Sequence, residues 1–85
     1  MIHKLTIKHE YFMAILNGKK SFELREQRPD RYFGIGDVLR LVDETTGEVL
    51  HVFVTYVLND YLMGLQLNWC CMSIRISAQG QGVKQ

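Results

Sequence analysis

The chain has 85 residues, of which 47% are hydrophobic, and a formal net charge of +1. This length allows one domain with one modest core, and this hydrophobic content excludes a wholly disordered chain. A charge near zero is unlike that of a nucleic-acid coat protein, and no apolar run is long enough to span a membrane. Because patterned sequence begins at once, without a signal-peptide pattern, we expect a cytoplasmic protein.

The first part of the chain changes from strand-like to helix-like spacing. Residues 2–8 alternate between two faces, which predicts a strand. Residues 9–17 carry apolar side chains at helical spacing, and Gly18 is a typical helix stop. A helix is therefore predicted there, with Lys19 and Lys20 just beyond its C terminus, where the helix dipole favours positive charge.

Four further strands are predicted after this helix. Residues 21–26 form the first, with Phe22 and Leu24 on the face expected to supply the core. Residues 27–36 contain the only proline and two glycines, so they predict a loop. The remaining strands are predicted over 38–43, 49–58 and 69–76, with a hairpin turn at Thr46-Gly47 and a loop over 59–68 that has room for a short helical turn.

Five strands and one helix predict a mainly β fold. Most links between strands are too short for the crossovers that parallel strands need, so we expect a mainly antiparallel, partly closed barrel with the helix at one end. Closure also removes exposed strand edges. The domain is expected to span residues 1–76, and residues 77–85, with one large aliphatic side chain, to form a flexible tail.

The two cysteines are neighbours in the last predicted strand. Because adjacent strand residues point to opposite faces, Cys70 and Cys71 are not expected to form a disulfide. One is expected to pack in the core and the other to be a partly exposed thiol. With no C-x-x-C pair and three scattered histidines, no metal site and no cofactor are predicted.

One face of the second strand carries polar and charged side chains. Ser21, Glu23 and Arg25 lie two residues apart and therefore share a strand face, and Lys20 comes just before them. Such a face looks at water or lines a polar cleft, and it does not build an apolar core. Glu23 and Arg25 are close enough for a charge-assisted network, which either anchors the following loop or belongs to a binding site.

The segment over residues 19–31 is basic. It holds three acidic side chains and five basic ones, a local charge of +2, the basic ones being Lys19, Lys20, Arg25, Arg28 and Arg31. Tyr32 and Phe33 follow at once. Basic groups bind phosphates and exposed rings stack on unpaired bases, so the segment predicts a pocket for a single nucleotide or a short single strand. The alternative is a solvated loop whose aromatic rings turn into the core.

His3 shares its strand face with Leu5 and Ile7, so its side chain is expected to point inward. One interpretation is a hydrogen-bonded core histidine. The other is a site residue that bonds the Glu23 carboxylate or a bound base.

Residues 18–25 match the pattern G-x-K-x-x-E-x-R, through Gly18, Lys20, Glu23 and Arg25. This pattern resembles the signature of ASCH domains, which belong to the PUA-like β-barrel superfamily. The likeness extends over residues 2–76 to the small ASCH-like subfamily DUF3850. The flanking residues that carry it are His3, Leu5, Ile7, Tyr11, Phe12, Gly36, Asp37, Thr46, Gly47, Val54, Thr55 and Tyr56.

The resemblance implies a PUA-like fold with an RNA-binding cleft beside the signature. One bacterial ASCH branch removes the acetyl group from N4-acetylcytidine, using the signature lysine, a threonine and a distant glutamate. Lys20 occupies the lysine position here, but Glu23 replaces the threonine, and loop 59–68 contains Asp60 and no glutamate. A catalytic lysine must also be neutral, whereas a neighbouring carboxylate favours its charged form.

Three functions of different class follow from these observations. The first is a module that binds RNA, single-stranded nucleic acid or a modified nucleoside without turnover. The second is a small amidohydrolase acting on an N4-acylated cytidine-type nucleoside, with Lys20 and Glu23 as the catalytic candidates. The third is an interaction domain without nucleic acid, and no membrane partner is expected. The candidate ligand-binding residues are His3, Lys19, Lys20, Ser21, Glu23, Arg25, Arg28, Arg31 and Tyr32.

Overall fold

Five strands form one mixed sheet that curls into a half-barrel in a computed structural model, which describes residues 1–77. The strands are β1 (Ile2–Ile7), β2 (Phe22–Glu26), β3 (Val38–Asp43), β4 (Val49–Leu58) and β5 (Trp69–Ile76). A helix, α1 (His9–Leu16), follows β1, and a 3₁₀ turn (Tyr61–Met63) precedes β5. The predicted fold class, a mainly β, partly closed barrel with one helix near the N terminus, is confirmed.

The strands lie across the sheet in the order β1-β3-β4-β5-β2. The pairs β3–β4, β4–β5 and β5–β2 are antiparallel, whereas β1 and β3 are parallel, with Ile2 opposite Val38. A parallel pair is possible here because the connection from β1 to β3 is long and contains both α1 and β2. The two edges of the sheet are therefore β1 and β2, and β2 carries the candidate site residues.

The core lies on the inner face of the curled sheet. Alternate residues of β3, β4 and β5 are buried, and α1 contributes Phe12 and Ile15. Cys70 is fully buried and Cys71 partly buried, and both thiols are free, as expected for neighbours on opposite faces. Burial raises the pKa of the Cys70 thiol.

The prediction for the two faces of β2 is wrong. Phe22 and Leu24 are 42% and 46% exposed, whereas Glu23 is 4% exposed. β2 is an edge strand that pairs with β5 alone, and the face that carries Glu23 looks onto charged side chains. Because those neighbours neutralise the carboxylate, this polar face can turn inward without leaving an unpaired buried charge.

Two predicted turns have the backbone conformation that glycine favours. Gly18 ends α1 with a φ of +79°, and Gly47 closes the β3–β4 hairpin with a φ of +78°. Glycine adopts this left-handed region without the steric penalty that a Cβ atom brings. The first of these turns is the one that directs the chain from α1 into β2.

Ser77 is the last residue that the structure describes. It is buried, and its backbone N–H donates to the carbonyl of His51 at 3.1 Å. The rest of the predicted tail, residues 78–85, lies outside the described residues. Over residues 1–77, no helix is long and apolar enough to cross a membrane.

His3 is buried and pairs with Asp37, the residue immediately before β3. Its Nε2 lies 2.8 Å from Oδ2 of Asp37, and its ring centroid lies 4.6 Å from that of Phe33. The same carboxylate oxygen accepts the backbone N–H of Gly34 at 2.9 Å. His3 is therefore a hydrogen-bonded core histidine, and the predicted contact with the Glu23 carboxylate is absent because Asp37 takes its place.

We expect Asp37→Asn to destabilise the fold at neutral pH by on the order of 1 kcal/mol, since a charged acceptor is lost. Burial raises the pKa of the Asp37 carboxyl, but hydrogen bonds from His3 and Gly34 outweigh burial and hold that pKa below its ordinary value. A group with a lowered folded-state pKa stabilises the native state above about pH 4, and this contribution is lost as the pH falls through the folded-state pKa.

Urea unfolding at about pH 7 and about pH 3 measures this pH-dependent contribution to stability, with Asp30→Asn, a substitution at an exposed residue, as control. The difference in free energy of unfolding between wild type and Asp37→Asn should be smaller at the acid pH. Asp30→Asn should be as stable as wild type at both pH values. A difference that is constant or larger in acid would contradict the role given to Asp37.

Candidate functional site

A cleft of about 550 Å³ opens between the two edges of the half-barrel, β1 and β2. The end of β1, the start of α1, all of β2, the following loop and the start of β5 contribute to it. The residues that line this cleft are Thr6, Ile7, Lys8, Tyr11, Lys20, Phe22, Glu23, Leu24, Arg25, Glu26, Arg28, Arg31 and Trp69. A recess therefore lies beside the polar strand face that the sequence singled out.

Glu23 is the centre of one wall of the cleft. Its side chain is 5% exposed, and both of its oxygens are paired. Oε1 accepts from Nζ of Lys20 at 2.7 Å, and Oε2 accepts from Nε of Arg25 at 2.7 Å and lies 2.7 Å from Nη2 of the same guanidinium. Charge-assisted bonds this short compensate for burial of the carboxylate, so the network predicted from residue spacing is present.

The turn after α1 brings Lys20 to this network. The backbone N–H groups of Lys19 and Lys20 both donate to the carbonyl of Ala14, at 2.8 Å and 3.1 Å. The chain is thereby turned tightly from the helix into β2, and Lys20 comes to lie three residues before Glu23. Period two along β2 then puts Arg25 on the same side as Glu23.

Lys20 is surrounded by groups that attract an ammonium ion. Besides the ion pair with Glu23, Nζ donates to the carbonyl of Phe22 at 2.8 Å. It also lies 5.3 Å from the ring centroid of Tyr11 and 4.9 Å from that of Phe22. The carboxylate, the carbonyl and the two ring faces all attract a cation, so together they fix the position of Nζ in the cleft wall.

Arg25 joins the two edges of the sheet. Its Nη2 donates to the backbone carbonyl of Thr6 in β1 at 3.0 Å, while the same guanidinium binds Glu23 in β2. Because β1 and β2 are at opposite ends of the strand order, this contact bridges the open side of the half-barrel. The pair formed by Glu23 and Arg25 therefore holds the cleft in shape.

The cleft is more cationic than the chain as a whole. Two acidic and five basic side chains line it, an excess of three positive charges, and the basic ones are Lys8, Lys20, Arg25, Arg28 and Arg31. Glu23 pairs with two of these bases but carries only one negative charge, and Glu26 reaches Arg28 at only 3.9 Å between half-exposed side chains, a contact that contributes little. Within residues 1–77, the bases of the lining that have no short ion pair are Lys8, Arg28 and Arg31.

Three aromatic side chains border the cleft. Tyr11 and Phe22 are 43% and 42% exposed, and Trp69 is partly buried. Sequence analysis missed Tyr11 and Trp69 as site residues. Trp69 lies opposite Glu26 in the β2–β5 register, a relation that is visible only once the strand pairing is known. Rings next to cations form a surface on which a planar group can stack.

The structure divides the predicted set of site residues. The members that line the cleft are Lys20, Glu23, Arg25, Arg28 and Arg31. Lys19, Ser21 and Tyr32 are exposed outside it, and His3 is buried against Asp37. The backbone carbonyl of Ser21 accepts from Ile74 at 3.0 Å, so this residue extends the β2–β5 pairing.

Residues 1–77 offer no cluster of metal-ligating side chains. Over residues 1–77, no three His, Cys, Asp or Glu side chains come together in a way that would hold a metal ion. Both oxygens of Glu23 are already bound by lysine and arginine. The lining offers cations and ring faces, which are the complement of an anionic, planar ligand.

Comparison with protein families matches residues 2–74 to the family described as "Domain of unknown function (DUF3850)". The match includes every residue that lines the cleft. No protein with a curated description matches the chain. The description of the family names no activity.

Proposed function

The chain belongs to the DUF3850 family, a domain of unknown function, and we propose that its cleft binds a nucleotide or a short single strand of RNA. One observation carries the proposal: cations that have no close acidic partner in the described part of the chain lie around the same recess as exposed aromatic rings. The cations attract phosphate, and the rings stack on a base. A nucleotide carries both groups.

The dimensions of the cleft support an unpaired ligand. A volume of about 550 Å³ lies within the range of small-molecule sites and suits one or a few nucleotides. Stacking on Tyr11 or Trp69 requires a base whose face is free, which a base inside a duplex does not offer. The modest charge of the chain likewise favours a local site over a long electrostatic surface.

The ASCH and PUA-like affiliation is part of the same proposal. It is supported by the signature over residues 18–25, from which Lys20, Glu23 and Arg25 form one network in the cleft wall. It is also supported by the curled sheet, the architecture expected of a PUA-like domain. The signature network on this view shapes the cleft, and residues around it bind the ligand.

The alternative of an amidohydrolase has less support. A lysine that acts as base or nucleophile must be neutral, and loss of its proton would remove the charge attraction that holds Nζ against the Glu23 carboxylate. Asp60, the only acid of loop 59–68, is also engaged elsewhere. Its Oδ1 accepts the backbone N–H of Leu62 at 2.9 Å and caps the 3₁₀ turn.

We expect Tyr11→Ala to weaken binding of a labelled hexauridylate by about tenfold, because removing a stacked ring costs roughly 1–3 kcal/mol per base. Fluorescence anisotropy measures the affinity, and its logarithm should fall as the logarithm of the salt concentration rises. Tyr56→Ala is the matched control, since Tyr56 is 59% exposed but does not line the cleft. Equal affinities of the two variants would contradict stacking on Tyr11.

The wild-type chain itself decides between the three functions. Trp69 is the only tryptophan of the chain and lines the cleft, so its emission reports entry of a ligand without a label. Absence of any binding would overturn the proposal. Release of acetate from N4-acetylcytidine, lost in Lys20→Ala, would favour the hydrolase instead, and absence of both binding and turnover would favour an interaction domain without nucleic acid.

A further inference from the structure

Arg28 and Arg31 are held side by side by a tight turn in the lining of the cleft. The backbone N–H of Arg28 donates to the carbonyl of Arg31 at 3.2 Å, and the N–H of Arg31 donates to the carbonyl of Arg28 at 2.9 Å. Pro29 and Asp30 occupy the two central positions of the turn, and proline is favoured at the first of them because its φ is already set.

This reciprocal bonding places the two arginine side chains on the same side of the turn. Residues that exchange both backbone hydrogen bonds lie directly opposite each other, and like charges in that position repel. Both side chains line the cleft. The turn therefore concentrates positive charge at one place in the recess, and among residues 1–77 the compensating ion pair is the 3.9 Å contact from Glu26 to Arg28.

Arg31 has a buried donor that no group satisfies. Its Nε is inaccessible to solvent and has no hydrogen-bond partner among the described residues. The guanidinium lies over the ring of Phe33, with its central carbon 5.6 Å from the ring centroid. Burial of a donor without an acceptor is costly in free energy. An anion bound in the cleft would supply that acceptor once the guanidinium turns towards it.

We propose that the Arg28–Arg31 turn is the phosphate subsite of the cleft and that Arg31 is the residue that contacts the phosphate. This inference rests on the proposed nucleotide binding and adds which residues bind the phosphate and which shape the cleft. Lys20 and Arg25 belong to the signature but are both already engaged by Glu23 in short ion pairs. Arg31 lies outside the signature, and its Nε has no hydrogen-bond partner among the described residues. On this proposal the loop over residues 27–36 binds the phosphate of the ligand, and the signature residues hold the cleft in shape.

The ligand group is a phosphate attached to a nucleoside, either as a mononucleotide or within an RNA backbone. We expect Arg31→Gln to weaken uridine 5′-monophosphate binding by about 10-fold to 100-fold, the range for losing a charge-assisted contact. Binding of uridine, which lacks the phosphate, should change less than twofold. Titration followed by NMR shifts of the wild-type and variant chains measures both. Arg31→Lys should retain part of the affinity because it keeps the charge.

A second arm uses hexauridylate without a terminal phosphate. Here Arg31→Gln should reduce the slope of log affinity against log salt by about one, as expected when one phosphate contact is lost. A loss confined to the monophosphate identifies a free nucleotide as the source of the phosphate, and a loss confined to hexauridylate identifies the RNA backbone. Either loss supports the subsite.

Arg75→Gln is the matched control. Arg75 also lies over a phenylalanine ring, 5.2 Å from the centroid of Phe53, but it does not line the cleft. If wild type binds and Arg31→Gln keeps the same affinities and salt slope as Arg75→Gln, the phosphate subsite is wrong while nucleotide binding stands. If wild type binds neither ligand, the proposed function and the subsite both fall.

Discussion

Glu23→Ala is expected to lower the free energy of unfolding by about 3 kcal/mol, because it leaves Lys20 and Arg25 without their counter-charge. The Glu23 side chain is 5% exposed, and those of Lys20 and Arg25 are 14% and 20% exposed. Since the two cations keep some contact with water, we place the effect at the low end of the roughly 3–5 kcal/mol measured for broken buried pairs. Urea unfolding followed by far-UV circular dichroism measures it.

Glu26→Ala is the matched control for this experiment. Glu26 belongs to the same strand, so both variants carry the same loss of strand propensity, but its carboxylate is half-exposed and 3.9 Å from Arg28. We expect it to change stability by no more than about 0.5 kcal/mol. Glu23→Gln retains a hydrogen-bonding oxygen but no charge, so its loss of stability should lie between those of Glu23→Ala and Glu26→Ala. Equal effects of Glu23→Ala and Glu26→Ala would show that the network does not stabilise the fold.

Phe33→Ala is expected to destabilise the protein by about 3–4 kcal/mol, the cost of removing a buried aromatic ring and leaving a cavity. Phe33 is 1% exposed and packs against the ring of His3. Its backbone is fixed as well, since its N–H donates to Oε1 of Gln27 at 2.7 Å and its carbonyl accepts from Nε2 of the same residue at 3.2 Å. Phe33 therefore anchors the loop that carries Arg28 and Arg31.

Tyr32→Ala gives the comparison for Phe33→Ala. The two aromatic residues are adjacent, but Tyr32 is 64% exposed, so its removal should alter stability by less than about 0.5 kcal/mol. If Phe33→Ala does not fold, Phe33→Leu should fold and lose roughly 1 kcal/mol, because it keeps most of the buried volume. A Phe33→Ala variant as stable as Tyr32→Ala would mean that the ring is not part of the core.

The elements of secondary structure follow closely from local pattern. Alternation over residues 2–8 and helical spacing over residues 9–17 agree with β1 and α1 to within one residue at each end. The predicted bounds of β3, β4 and β5 are those observed. This agreement is possible because periodicity, turn residues and β-branched content act over a few neighbouring residues.

The candidate site was predicted in part. Spacing along one strand was enough to place Glu23 and Arg25 together, with Lys20 beside them. It was not enough to find Trp69, which reaches the cleft through its pairing with β2, or to show that His3 has Asp37 as its partner. Those relations join residues far apart in the chain, and no local pattern encodes them.

The two faces of β2 show most clearly what the local sequence pattern does not determine. Period two correctly separates Phe22 and Leu24 from Glu23, but the choice of the inward face was reversed. Hydrophobicity alone favours burial of the two apolar side chains, whereas Lys20 and Arg25 make it possible to bury the carboxylate instead. Residue spacing thus defines which side chains share a face, and packing between distant segments selects the face that is buried, because the free energy of burying a charge depends on the neighbours that compensate it.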